Sequence, residues 1–220
     1  MTHSAAAVRA ESRWPGALAI VAVLALLALL PARISLVPIW VAGFVGVVIL
    51  VPMAGAGLSA GKGSWVKLER GVTILFALLM SVASLIQLRT LMRAIVQDAE
   101  VLGGLELLSS SIAVWVINVL AASLLFWQID RGGPSGRQVR EHPRPDWLFP
   151  QADAAQDIER TWRPTYVDYL FLAYSTATAF SATDAAPLSS RAKILMMIES
   201  SISLMTIVVV VSRAINILGS

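Results

Sequence analysis

Five apolar runs, each close to the length of a bilayer crossing, leave this chain few ways to fold. A hydrocarbon core about 30 Å thick needs roughly 20 consecutive apolar residues in a helix, with a range of about 17 to 25. The runs cover residues 14–30, 34–52, 71–88, 107–127 and 194–211, the last continuing toward Leu218. Backbone polar groups cannot go unpaired in lipid, so only helices and closed barrels span it. The runs are continuously apolar rather than alternating, which suits helices. The sequence therefore predicts an all-α integral membrane protein.

Composition agrees. The chain is 57% hydrophobic and 14% charged, where a soluble domain carries about a quarter charged residues. It has no cysteine, which excludes disulfides, thiolate metal sites and cysteine nucleophiles. His3 and His142 both lie in polar segments, so a histidine metal cluster within the membrane is excluded, and no metal or cofactor is expected. The net charge is only +3. The arginines sit beside the apolar runs and read as topology signals, not as a nucleic-acid surface.

Between the runs little suggests chemistry. Arg9 and Arg13 before the first run resemble the start of a signal peptide, but Pro31-Ala32-Arg33 is no small-x-small cleavage site, so an uncleaved helix is expected. The connection MAGAGLSAGKGS, residues 53–64, lacks the first glycine and the final Ser or Thr of a phosphate-binding loop and reads as a flexible basic turn. Residues 131–163 carry scattered prolines and many arginines, and read as an extramembrane linker. Three regions follow: a four-helix membrane region over 1–130, the polar linker over 131–164, and a C-terminal pair over 165–220.

Residues 165–183, TYVDYLFLAYSTATAFSAT, form a sixth membrane-embedded segment beside the five spans. It is either a crossing helix or a re-entrant helix followed by an extended strand. With the C-terminus cytoplasmic and Asp184 outside, a crossing helix leaves only Arg33, Arg89, Arg93, Arg191 and Lys193 of the 17 basic residues outside. A re-entrant loop in the same orientation leaves only Arg33, Arg89, Arg93 and Arg213 inside. The positive-inside rule then favours the crossing helix, with both termini cytoplasmic.

From Thr176 to Arg213 the sequence resembles the pore region of bacterial potassium channels. In that family a pore helix ends in Thr-x-Thr-Thr-Val-Gly-Tyr-Gly-Asp, followed by a proline and a pore-lining helix with an early glutamate and a later arginine. Thr176, Thr178, Asp184, Pro187, Glu199 and Arg213 fall at the corresponding spacings. The chain is also similar to uncharacterised bacterial membrane proteins of about this length with a Thr-Ala-Phe-Ser-x-Thr-Asp run. The resemblance implies a homotetramer with a pore on its four-fold axis. Where the channels have Gly-Tyr-Gly, this chain has Ser181-Ala182-Thr183. Glycine reaches the backbone states of a carbonyl filter at little cost, and other residues do not. A potassium-selective filter is not expected.

Within the last run, Glu199, Ser203, Thr206, Val210 and Arg213 recur at i, i+4, i+7, i+11 and i+14, one face of a helix. An acid inside a membrane helix costs several kcal/mol unless paired, protonated or hydrated, so it marks a candidate site. The stripe either lines a path for a proton or cation, or is a helix-packing face. Asn118, with Ser109, Ser110 and Ser111, is a candidate partner on the fourth run. Arg89 and Arg93 read as snorkelling residues, Asp168 as a helix N-terminal acid with Arg163 or Arg160 as a plausible partner, and Trp14, Trp65, Trp127, Trp147 and Trp162 as interfacial anchors.

The expected function is that of a channel-like protein of the bacterial inner membrane, passing a small monovalent cation or a proton. Its pore-like residues would be Thr176, Thr178, Ser181, Thr183 and Asp184, with Glu199, Ser203 and Thr206 on the last helix. The alternatives are a non-conducting scaffold or accessory subunit, or a small secondary transporter. No convergent catalytic set appears, so an enzyme is not expected.

Overall fold

The structure, a computed structural model, describes residues 11–31, 38–58, 63–97, 104–137, 144–153, 162–178 and 185–218. It is helical throughout, apart from one pair of two-residue strands. The long helices are α1 (Trp14–Leu29), α2 (Ile39–Leu58), α3 (Ser64–Gln97) and α4 (Gly104–Ile129). A 3₁₀ turn (Asp130–Gly132) and the short α5 (Gly133–Gly136) follow, then β1 (Trp147–Leu148) and α6 (Pro150–Asp153). The chain ends with α7 (Tyr166–Ala177), β2 (Ala186–Pro187) and α8 (Ser190–Leu218).

Four helices, α2, α3, α4 and α8, are long and apolar enough to cross a membrane. The shorter α1 is equally apolar but has 16 residues, about 24 Å at 1.5 Å per residue. The outward faces are those of a protein solvated by lipid: Trp40, Phe44, Leu75, Leu79, Met197 and Leu204 are all exposed. Burying such surface would stabilise the fold in water, so its exposure marks a non-aqueous surround.

α4 is the centre of the bundle and packs against α1, α3, α7 and α8. Its contact with α1 is close because Gly16 has no side chain. A Cβ there would stand 2.9 Å from Cζ3 of Trp127. Trp127 and Trp147 are fully buried, and Trp147 stacks on Phe126 with ring centroids 4.9 Å apart. These two are core residues and not interfacial anchors. Trp14 and Trp65 are exposed as anchors should be.

The helices alternate in direction. Arg13, just before α1, pairs with Glu69 in the second turn of α3, and Glu11 with Arg137, just after α4. The start of α1, the start of α3 and the end of α4 therefore lie together. α8 also starts at this end, through Arg191 and Asp146, and runs past Asn118 in the opposite direction to α4. The first residues of α1 and the last of α8 consequently stand at opposite ends of the bundle, where the sequence reading had both termini on one side.

Among the described residues of 165–183 the helix is α7 alone, which ends at Ala177. α7 has 12 residues, about 18 Å. It starts with Tyr166 against Ser123 and Trp127 of α4 and reaches only to Trp115, which meets Tyr174 edge-on at 5.9 Å. Beyond it, Ala186 pairs with Leu148 and Pro187 with Trp147, back at the end where α7 began. The positive-inside count was the reason to favour a crossing helix, and such a count is blind to the tertiary contacts that override it. Here the overriding contacts are the strand pair and the bond from Leu188 N–H to the Asp146 carbonyl at 2.8 Å.

Candidate functional site

α8 presents Glu199, Ser203 and Thr206 to the bundle interior, all at most 4% exposed. Their spacing puts them on one stripe, and α4 covers that stripe. The Asn118 amide donates from Nδ2 both to Ser203 Oγ at 2.9 Å and to the backbone carbonyl of Glu199 at 3.2 Å. That carbonyl has a second lone pair beyond its helical bond, so the amide adds a partner without breaking the helix. The expected partnership of Asn118 with the stripe is present, but it does not reach the carboxyl group.

Both carboxyl oxygens of Glu199 are buried and have no hydrogen-bond partner among the described residues. Thr206 turns its hydroxyl onto the Ile202 carbonyl of its own helix at 2.8 Å. Ser111 bonds to the Leu107 carbonyl and Ser109 to that of Glu106 in the same way, while the Ser110 hydroxyl has no partner. The amide of Gln87 on α3, fully buried, is also unpartnered at both ends among the described residues. The interior of the spans thus holds an acid, an amide and a hydroxyl with spare hydrogen-bonding capacity.

The filter-like residues are divided. Thr176 and Thr178 lie at the inner end of α7, each half-buried. Their hydroxyls donate to Leu172 O at 2.8 Å and to Tyr174 O at 2.9 Å, a back-bonding habit of threonine in helices. They are satisfied on their own helix. Ser181, Thr183 and Asp184 lie outside the described residues, as does the side chain of Arg213. Asp168 accepts from both Thr165 N and Thr165 Oγ1 in a capping box, with no arginine partner among the described residues. Arg89 and Arg93 are exposed.

A second polar assembly, which the sequence reading passed over, closes the end of the bundle where α7 begins. Asp130 is completely buried. Its Oδ1 accepts from Asp146 N at 2.7 Å and its Oδ2 from the Tyr169 hydroxyl at 2.5 Å. Asp146 in turn receives Ser189 Oγ at 2.5 Å and a two-pronged Arg191 at 2.6 Å on each oxygen. Ser189 also caps α8, accepting from Ala192 N at 3.1 Å. Arg137, 1% exposed, donates to the carbonyls of Trp127 and Asp130 at the end of α4. It also forks onto Glu11 and lies over the Tyr169 ring, 5.0 Å from its centroid.

The turn that brings Arg137 back needs left-handed backbone at Arg131 (φ 50), Gly132 (φ 83) and Gly133 (φ 82), which glycine supplies at little cost. This stretch belongs to the region read from sequence as an extramembrane linker. Arg131, Gly132 and Gly133 hint at the turn, but nothing local marks Asp130 or Asp146 as partners, because their ligands are 16 to 45 residues away.

Comparison with protein-family models, with curated proteins and with solved structures finds no match to this chain.

Proposed function

We propose that the chain is a channel-like membrane protein of the bacterial inner membrane, in which Glu199 carries a proton or a small monovalent cation across the interior. One observation carries this reading: a buried carboxyl group with no hydrogen-bond partner among the described residues sits on a helix long and apolar enough to cross a membrane. An isolated carboxylate there costs several kcal/mol. The group must therefore hold a proton, or admit water and a cation, and a site that exchanges either one is a step on a path.

In this reading five helices span the membrane, α1 included, and α7 is the descending limb of a re-entrant hairpin. The path runs inside one protomer, between α4 and α8, because that is where the stripe points. A homotetramer with a central pore, which the potassium-channel resemblance implies, would instead require the stripe to turn toward the four-fold axis. Thr176 and Thr178, already bonded to their own helix, are poor filter ligands, and potassium selectivity is not part of the proposal.

The second reading is a non-conducting scaffold. It is favoured by the completeness of the Asn118–Ser203 contact, which is what a packing face requires. Purified protein in liposomes decides between them. A potassium gradient with valinomycin sets a voltage, and an entrapped pH dye reports proton entry, with sodium entry read in parallel. The channel reading expects flux above empty liposomes, lost at least tenfold in Glu199→Gln with assembly unchanged. No flux in the wild type supports the scaffold, and flux that is equal in the variant overturns the role given to Glu199.

A further inference from the structure

We infer that the end of the bundle where α7 enters faces the cytoplasm, so that the hairpin opens inward and α8 ends outside the cell membrane. The inference rests on which end the charges occupy, and it holds whether or not Glu199 conducts.

The span lengths set the two surfaces. α3 has no charged residue between Arg70 and Arg89, and α8 has only Glu199 between Lys193 and Arg213. Those intervals of about 19 and 20 residues correspond to roughly 28 and 30 Å of helix, the thickness of the hydrocarbon core. Arg70 and Lys193 therefore mark one interface, and Arg89 and Arg213 the other.

At the Arg70 interface three cations are committed to ion pairs: Arg13 with Glu69, Arg137 with Glu11, and Arg191 with Asp146. A further six, Lys67, Arg70, Arg131, Arg144, Arg163 and Lys193, have no ion pair among the described residues. The opposite interface has only Arg89, Arg93 and Arg213 among the described residues. Lys and Arg beside the spans set orientation by staying in the cytoplasm, where the leaflet's anionic headgroups complement them. The cations with no ion pair among the described residues are the ones that can meet those headgroups, the exposed Lys67, Arg144 and Lys193 above all.

The hairpin fixes the sign of this argument. A crossing helix would have moved Arg191 and Lys193 to the face opposite Arg131 and Arg137. Because Ala186 returns to Leu148, all four stand at one end. The orientation that follows is opposite, at the end of α8, to the sequence expectation of a cytoplasmic C-terminus.

Single cysteines in this cysteine-free chain test the proposal. Ala152→Cys lies exposed at the cation-rich end and Glu106→Cys exposed at the other, and neither changes a basic residue. In intact cells a membrane-impermeant maleimide is expected to label Glu106→Cys, and to label Ala152→Cys only after lysis. Alkaline phosphatase fused after Ser220 is expected to be active. Labelling of Ala152→Cys in intact cells, or an inactive phosphatase fusion, overturns the orientation. If neither cysteine labels before lysis, the phosphatase result decides on the same terms. Loss of ion flux alone would overturn the conduction reading and leave these outcomes unchanged.

Discussion

The Tyr169 hydroxyl donates to Oδ2 of Asp130 at 2.5 Å, joining the first turn of α7 to the turn after α4. The same carboxyl group holds Asp146 N on its other oxygen, and Asp146 holds the first residues of α8. One buried aspartate thus fastens both limbs of the hairpin. Packing brings the parts together, and this chain of bonds fixes their register.

Removing the hydroxyl should loosen that register. Tyr169→Phe keeps the ring against Phe149 (centroids 5.4 Å apart) and leaves one oxygen of a fully buried carboxyl without its donor. A hydrogen bond to a charged group contributes about 1.5–3 kcal/mol, so a loss of that order is expected as a lower melting temperature in detergent. Asp130→Ala, which frees both Tyr169 and Asp146 N, should cost more. Equal melting of Tyr169→Phe and wild type would show that the bond adds nothing to the fold.

The turn after α4 should tolerate no side chain at Gly136. A Cβ there would fall on the backbone carbonyl of Arg131, which cannot rotate away as a side chain could. Gly136→Ala is expected to destabilise by about 1–3 kcal/mol, the usual range for overpacking, and to lower the yield of folded protein in gel filtration. Gly43 in α2 has open space around it, so Gly43→Ala is the control. Helix propensity there favours alanine by up to about 1 kcal/mol, and its yield should equal or exceed that of the wild type.

Asn118 is the only side chain among the described residues that bonds the α8 stripe from α4. Interhelical hydrogen bonds in membranes average about 0.6 kcal/mol and rarely exceed about 1.7 kcal/mol. Asn118→Ala should therefore cost about 1 kcal/mol, read as a small drop in melting temperature with the protein still folded. A collapse of folded yield would instead make Asn118 the pin of the whole α4–α8 interface.

How much of this was legible can be argued from particular residues. The spans were, because a run such as residues 107–127 has no stable place but a hydrophobic interior or lipid. So was the stripe of Glu199, Ser203 and Thr206, which follows from helical period alone. The pairing of Asn118 with Ser203 was legible as a choice among few buried polar groups. The hairpin was not. Its evidence lies in pairs such as Leu148 with Ala186 and Asp130 with Tyr169, contacts between distant positions that no local pattern encodes. Charge counting favoured the crossing helix for a related reason. The count was made with the C-terminus held cytoplasmic, and with that sign the lopsided split of a re-entrant topology counted against it. Placing α7 and β2 first turns the same split into an argument for the opposite orientation.

The return of the chain has a direct covalent test. Leu148 and Ala186 are Cα partners in an antiparallel pair, and such partners stand about 4.5–5.5 Å apart. A disulfide needs Cα atoms about 4.4–6.8 Å apart. In a chain with no other cysteine, the double variant Leu148→Cys/Ala186→Cys should close on mild oxidation in the membrane and run faster on a non-reducing gel. It should also melt higher than its reduced form, since closing a loop of this length restricts the unfolded chain by about 3–4 kcal/mol in the entropic account. The pair Leu148→Cys/Glu106→Cys, with its members at opposite ends of α4, should not close. If residues 165–183 crossed the membrane, positions 148 and 186 would lie about 30 Å apart on opposite faces. No intramolecular bridge would then form, and both the hairpin and the orientation argued from it would fall.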